Sequence, residues 1–125
     1  MNHEDTKSQR REELAKAVVH SALGPGLLES VYEVCLVHEL HKRGLSLERQ
    51  VTLPIEYDGV KLDAGLRRDL LVEDDLIVEL KAVETMHPLF VAQLLTYLKL
   101  TGKKLGLLIN FNVPLIKDGI RRVIL

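Results

Sequence analysis

The segment from Asp69 to Lys81 constrains the fold of this chain most, because an acidic triplet separates two apolar ones there. The triplets Leu-Leu-Val and Leu-Ile-Val predict two short strands, and the Glu-Asp-Asp between them predicts a turn. A turn centred on Asp74 places Asp69 opposite Glu79. A turn of two residues would shift that register by one and send Asp69 to the other face.

Alternation along the two predicted strands separates charged side chains from apolar ones. Successive strand side chains point to opposite faces, so Asp69, Glu79 and Lys81 share one face of the hairpin. The other face carries only apolar side chains: Leu70, Val72, Val78 and Leu80. Leu71 and Ile77 lie beside the charges, which favours a partly covered cleft.

Two opposed carboxylates with an ammonium group beside them suit a hard divalent cation. Mg²⁺ takes oxygen ligands and keeps several waters, so two carboxylates and the oxygens of a phosphate can complete its shell. The lysine would orient an attacking water or offset charge that builds on the phosphate. The alternative is an exposed cross-strand ion pair with little effect on stability.

The composition predicts one globular domain spanning residues 1–125. Apolar residues make up 46% of the chain and charged residues 28%, as in ordinary soluble proteins. The net charge of −1 excludes a global basic field, so a nucleic acid must be bound by a local basic patch. The single cysteine, Cys35, excludes an internal disulfide and a multi-cysteine zinc site.

No apolar run reaches the ~20 residues that span a bilayer, and residues 1–5 lack a signal-peptide pattern. We therefore expect a cytoplasmic protein without a membrane partner.

The predicted elements follow in the order helix, helix, strand, strand, strand, helix, strand, strand, after a frayed segment at residues 1–7. Their approximate bounds are 8–23, 27–43, 45–57, 60–62 continuing into 69–72, 76–81, 88–100, 105–110 and 120–125. Pro54 predicts an edge strand or a bulge. The crossover helix from Pro88 makes the strands on either side of it parallel. We therefore predict an α/β fold with a mixed central β-sheet flanked by helices.

Four motifs in order give the chain a family resemblance. They are Gly26-Leu-Leu-Glu29-Ser-Val-Tyr32, Asp69, Glu79-Leu-Lys81 and Gln93-x-x-x-Tyr97. Together they resemble the GxxExxY family of the PD-(D/E)XK nuclease-like superfamily, and the resemblance runs from about residue 12 to 123. The glutamine–tyrosine element is similar to that of the RecB-like branch. The resemblance implies a core like that of the restriction endonucleases.

The resemblance also implies roles for these residues. Asp69 and Glu79 would bind Mg²⁺ or Mn²⁺, and Lys81 would be the catalytic lysine. Glu29 would complete or support the metal site, whereas its position alone indicates a solvated acid matched to the helix dipole. Four further residues would position the substrate: Gln93, Tyr97, Arg67 and Tyr32.

Two positions depart from the family pattern, and a third position fits it. The family pattern leads us to expect an aromatic residue before Arg67 and a small residue before Asp69, and this chain has Leu66 and Arg68 there. These departures would alter substrate stacking or the charge balance of the aspartate. His20 also fits the family pattern, and its alternative is a hydrogen-bonded core or interface histidine.

The leading hypothesis is metal-dependent hydrolysis of phosphodiester bonds in a nucleic acid, which we expect to be DNA. Basic residues that would hold its backbone are Arg67, Arg68, Lys99, Lys103 and Lys104. A second hypothesis is a catalytically silent module that keeps the fold and binds nucleic acid or protein. A small-molecule enzyme ranks third, because no phosphate-cradling or nucleophile motif is present. Alternating apolar and basic residues around the last strand leave room for a homodimer contact or a protein partner.

Overall fold

The computed structural model of the protein describes residues 7–125, except for the side chains at 7, 8 and 64–66. Within that range the elements are α1 (Lys7–Leu23), α2 (Glu29–Lys42), β1 (Leu47–Tyr57), β2 (Val60–Val72), β3 (Leu76–Lys81), α3 (Pro88–Thr101), β4 (Leu105–Asn110), a 3₁₀ helix (Ile116–Gly119) and β5 (Ile120–Ile124). The predicted frayed segment 1–7 falls outside the described residues, apart from Lys7, which begins α1. No helix of the described range has the length and apolar character needed to cross a membrane.

The five strands form one mixed sheet in the order β1-β2-β3-β4-β5. The β3–β4 pair is parallel, as the crossover helix between these strands predicted. The other neighbouring pairs are antiparallel. Leu70 pairs with Val78 and Val72 with Leu76, so the turn between β2 and β3 is centred on Asp74. The α/β class and the predicted register of the central hairpin are confirmed.

The acidic turn is fixed by contacts from outside the hairpin. The Glu73 carboxylate accepts a hydrogen bond from the Ser46 N–H at 3.0 Å, and Lys103 Nζ donates to the Asp74 carbonyl at 2.8 Å. Glu73 and Asp74 both have positive φ, at 53° and 59°. Aspartate tolerates this conformation better than apolar residues do, and the Glu73 carboxylate is held by Ser46, which accounts for the interruption of the apolar pattern.

Two apolar cores lie on the two faces of the sheet, so the protein has three layers. On one face α1 and α2 cover side chains that include Leu70, Val78 and Leu80. On the other face α3 covers Leu71 and Ile77. The burial of these apolar surfaces is the main favourable contribution to folding.

β1 and β2 continue beyond β3 as a two-stranded arm. The ladder between β2 and β3 covers only residues 70–72 and 76–78, whereas β1 and β2 stay paired as far as Asp58 and Gly59 at the tip. Both tip residues have positive φ, at 56° and 72°, as a two-residue type I′ hairpin turn requires.

Pro54 lies in β1, which is an edge strand of the sheet. The pairing with β2 shifts register between Leu53 and Ile55, on either side of the proline. Proline lacks the N–H that a continuous ladder needs, so it is accommodated at an edge and at an irregularity. Both predictions for this position are confirmed.

Candidate active site

Asp69 and Glu79 join β2 to β3 at the point where the backbone ladder ends. The last paired residues of that ladder are Leu70 and Val78. One position further, the Asp69 N–H donates to Glu79 Oε1 at 3.1 Å, and the Leu80 N–H donates to Asp69 Oδ2 at 2.8 Å. Two half-buried carboxylates therefore replace backbone acceptors and are held side by side.

Side-chain alternation along β2 is interrupted at Asp69. Residues two apart in a regular strand share a face, yet Arg68 stacks on Tyr97 of α3 while Leu70 packs into the core under α1 and α2. The neighbouring strand, β1, is also irregular at this level, because Gln50 has a positive φ of 50°. The irregularity brings a basic residue to the α3 side of the sheet, where Glu79 also lies.

Glu33 of α2 holds the irregular part of β1. Its carboxylate accepts hydrogen bonds from Arg49 Nη2 and Gln50 Nε2, each at 2.9 Å, and its side chain is buried. These bonds join residues that are far apart along the chain. No local sequence pattern therefore indicates the role of Glu33, although it lies one turn after Glu29 on the same helix.

Lys81 lies against α3, on the same side of β3 as Glu79. Its ammonium group is 4.3 Å from the ring centroid of Phe90, a contact that the sequence motifs did not indicate. Asn110 pairs with Lys81 across the parallel ladder, and its side-chain amide binds both the N–H and the carbonyl of Val83, at 3.1 and 3.0 Å. The chain leaving Lys81 is thus anchored, which restricts the movement of the lysine.

Glu29 is the first residue of α2, and the loop before it is fixed by Tyr32. The Tyr32 hydroxyl donates to the Gly24 carbonyl at 2.6 Å and accepts from the Leu27 N–H at 3.1 Å. The ring is fully buried and stacks on Phe111 with centroids 4.7 Å apart. Tyr32 therefore lies in the core, and its contacts position the start of α2.

The ionisable groups of the site influence one another strongly. Burial raises the pKa of Glu79 to about 7, the Asp69 carboxylate adds to that rise, and Arg68 and Lys81 oppose it. Burial likewise raises the pKa of Asp69, against a backbone hydrogen bond that lowers it. The pKa of Glu29 is raised by partial burial and then by Asp69, with Lys81 opposing. Glu29 therefore lies within electrostatic range of the strand carboxylates.

The other residues predicted to position the substrate differ in how they are connected to the Asp69 and Glu79 carboxylates. Tyr97 is half-buried, and the Arg68 guanidinium lies 3.3 Å from its ring centroid. Arg68 Nη1 in turn lies 3.4 Å from Glu79 Oε1, so Tyr97 is connected to the carboxylates through Arg68. Gln93 on α3 and Arg67 on β2 are exposed.

His20 lies outside the site. Its Nε2–H donates to the Val113 carbonyl at 2.6 Å, its side chain is buried, and its ring centroid is 6.5 Å from that of Phe111. These contacts fit the second interpretation from the sequence, a hydrogen-bonded core histidine.

The donor chemistry of the carboxylate pair fits Mg²⁺ or Mn²⁺. Within residues 7–125, no group of three or more His, Cys, Asp and Glu side chains is arranged to hold a metal ion. Asp69 and Glu79 nevertheless form a pair of hard oxygen donors whose like charges oppose each other. A divalent cation would relieve that repulsion, and Mg²⁺ commonly binds through one or two carboxylates with water and phosphate oxygens as its other ligands.

The layered mixed sheet and the carboxylates and lysine on its central strands define a nuclease-like α/β protein. A family model described as the PD-(D/E)XK nuclease superfamily matches residues 9–123, which is nearly the whole chain. The chain therefore belongs to the PD-(D/E)XK nuclease superfamily. Comparison with curated proteins and with solved structures gave no match. The narrower assignments, to the GxxExxY family and the RecB-like branch, stay predictions.

Proposed function

We propose that this protein is a divalent-metal-dependent nuclease of the GxxExxY group that hydrolyses phosphodiester bonds in DNA. The observation that carries the proposal is the reciprocal hydrogen bonding that holds the Asp69 and Glu79 carboxylates side by side. Lys81 projects to the same side of β3 as Glu79, where its ammonium group contacts α3. Membership of the nuclease superfamily supports the same reaction class.

Asp69 and Glu79 would hold Mg²⁺ or Mn²⁺, and Glu29 would contribute from the first turn of α2. A cation bound there would polarise the scissile phosphate and lower the pKa of a water molecule. Glu79 must be ionised to act as a ligand, and its raised pKa of about 7 places that ionisation close to neutral pH.

Lys81 would stabilise the charge that develops on the phosphate during hydrolysis. A water oxygen forms a bond to phosphorus and gives up one proton to solvent, the bond from phosphorus to the leaving sugar oxygen breaks, and that oxygen takes a proton from solvent. The Phe90 ring and the anchored chain at Val83 would keep the ammonium group in place throughout. Positioning of this kind lowers the barrier because no group has to reorganise during the reaction.

Contacts with the DNA backbone would come from exposed residues near the carboxylates. Arg67 on β2 and Gln93 on α3 are exposed, and Tyr97 would act through Arg68. Lys103 is less suited to this role because it already donates to the acidic turn. With a net charge of −1, we expect DNA binding to be weak.

The test is cleavage of single- and double-stranded DNA with Mg²⁺ or Mn²⁺, by the wild-type protein and by the Glu79→Gln and Lys81→Met variants. We expect both substitutions to reduce cleavage by at least about 100-fold. Lys42→Met is the matched control, because Lys42 is an exposed lysine at the end of α2. Wild-type cleavage no faster than that of both site variants would contradict the proposal.

A second candidate function is a non-catalytic module that binds nucleic acid or protein. The observation that favours it is that Arg68 Nη1 lies 3.4 Å from Glu79 Oε1, so that one candidate ligand already faces a cation of the chain itself. DNA binding that survives Glu79→Gln, together with no cleavage by any form of the protein, would favour this candidate. The homodimer or protein partner expected from the sequence stays a prediction, which light scattering at several protein concentrations tests.

A further inference from the structure

Arg68 is a cation beside the candidate metal site, and no step of the proposed hydrolysis involves it. Its side chain is almost completely buried, with 5% of the residue exposed. The guanidinium is stacked 3.3 Å from the ring centroid of Tyr97, and Nη1 lies 3.4 Å from Glu79 Oε1. Its Nε is buried and has no hydrogen-bond partner within the described part of the chain.

The contacts of Arg68 indicate that its charge matters more than its hydrogen bonds. A guanidinium is always charged and carries several N–H donors, so burying it is costly unless these groups are paired. Here one ring and one carboxylate hold the group, and one donor stays unpaired. Such an arrangement contributes little to stability but places a fixed positive charge beside Glu79.

That charge acts on the same carboxylate that the metal would need. Asp69 and Glu79 together carry two negative charges when ionised, and Arg68 offsets one of them at short range. Tyr97 restrains the guanidinium in this position. The adjacent Arg67 has the same charge but is exposed, so solvent screens its effect.

We propose that Arg68 is a built-in counter-ion of the carboxylate pair, which competes with the divalent cation for Glu79 and weakens metal binding by the free protein. The inference rests on the proposed function, because it concerns the same site. It follows that removal of the Arg68 charge increases the affinity for a divalent cation while removal of the Arg67 charge does not.

The test is calorimetric titration of Mn²⁺ at pH 8, above the Glu79 pKa of about 7, without nucleic acid, into the wild-type protein and into Arg68→Met, Arg67→Met and Glu79→Gln. Methionine keeps an unbranched apolar chain against the Tyr97 ring, and Arg68→Gln is a second charge-removing variant if Arg68→Met does not fold. We expect Arg68→Met to bind Mn²⁺ about tenfold more tightly than the wild type and Arg67→Met to bind within about twofold of it. Arg68→Lys, which keeps the charge, should stay close to the wild type.

The outcomes separate this inference from the proposed function. Wild-type binding that Glu79→Gln abolishes, but that Arg68→Met leaves equal or weaker, would overturn the counter-ion role and leave the metal centre standing. An equal gain in Arg67→Met would also overturn it, because the effect would then be one of overall charge. Absence of Mn²⁺ binding by every variant would overturn the inference and the metal centre together.

Discussion

Asp69 and Glu79 each supply a side-chain oxygen that accepts a hydrogen bond from a backbone N–H of the neighbouring strand. In a regular ladder, a backbone carbonyl would be the acceptor. The Asp69 N–H donates to Glu79 Oε1, and the Leu80 N–H next to Glu79 donates to Asp69 Oδ2. The two candidate ligands are therefore also structural residues of the sheet. Substitution of either by its amide keeps an oxygen acceptor in place, so the amide variants separate a loss of charge from a loss of structure.

Glu79 makes the stability of the metal-free protein depend on pH. Its pKa rises from 4.5 to about 7 on folding, so the folded state binds more protons than the unfolded state in that interval. The contribution of this group to the free energy of unfolding is therefore fully present below pH 4.5 and falls as the pH rises to about 7. We expect urea denaturation between pH 5 and 8 to show this fall, and Glu79→Gln to reduce it. An unchanged pH profile in that variant would count against the raised pKa.

Metal affinity should follow the opposite trend. Since the ligand is the ionised carboxylate, Mn²⁺ binding should strengthen as the pH rises from 6 to 8. Calorimetry at several pH values measures this change, together with release of protons on binding near pH 7. Affinity that is constant over this range would show that Glu79 is not a ligand.

Lys81→Met should separate catalysis from folding and from metal binding. The methyl thioether can pack on Phe90 as the lysine stem does, so we expect the free energy of unfolding to change by less than about 1 kcal/mol. At pH 8, above the Glu79 pKa of about 7, Mn²⁺ binding should be kept or strengthened, because a positive charge that would repel the cation has been removed. A variant that loses metal binding as well as cleavage would indicate a structural role for the lysine.

Gly119→Ala should destabilise the protein more than Gly106→Ala. A Cβ atom at Gly119 would lie 2.1 Å from the Asn110 carbonyl oxygen, which belongs to the backbone and cannot move aside easily. A Cβ at Gly106 would lie 3.0 Å from atoms of the Leu94 side chain, which can shift more easily than backbone atoms. We expect a loss of about 3 kcal/mol for Gly119→Ala and about 1 kcal/mol for Gly106→Ala in urea denaturation. Equal losses of unfolding free energy would contradict the close approach of Gly119 to the Asn110 carbonyl oxygen.

Lys16→Met should be destabilising because it leaves Glu12 buried without its cation. The two side chains are paired at 2.9 Å and are 5% and 1% exposed. Removal of one partner of a buried pair costs roughly 3–5 kcal/mol, whereas apolar replacement of both is often neutral. Thermal unfolding of Lys16→Met and of the double variant Glu12→Leu, Lys16→Met should show the second to be the more stable. The deficit of the single variant should shrink at acid pH, because burial already raises the pKa of Glu12.

The sequence predicted those features that depend on local pattern. The register around Asp74 follows from apolar triplets of equal length, and the parallel pairing of β3 with β4 follows from the helix between them. Pro54 similarly indicated an edge position through its missing N–H. In each case the residues that decide the structure are adjacent in the chain.

Features that depend on distant contacts were not predicted. The break in alternation at Asp69 accompanies the positive φ of Gln50, and Gln50 is held by Glu33 from another element. Without that contact, a regular strand would have placed Arg68 on the side of α1 and α2. The stacking of Arg68 on Tyr97 could therefore be recognised only in three dimensions.

The position of β3 in the middle of the sheet has a consequence for local opening of the molecule. Two strands lie on each side of it at residues 76–78, so the amide hydrogens there should exchange with solvent only when most of the protein unfolds. The arm of β1 and β2 has no third strand beside it and should open far more often. Glu79 and Lys81 follow directly after residues 76–78, so we expect the arm to open many times without displacing them.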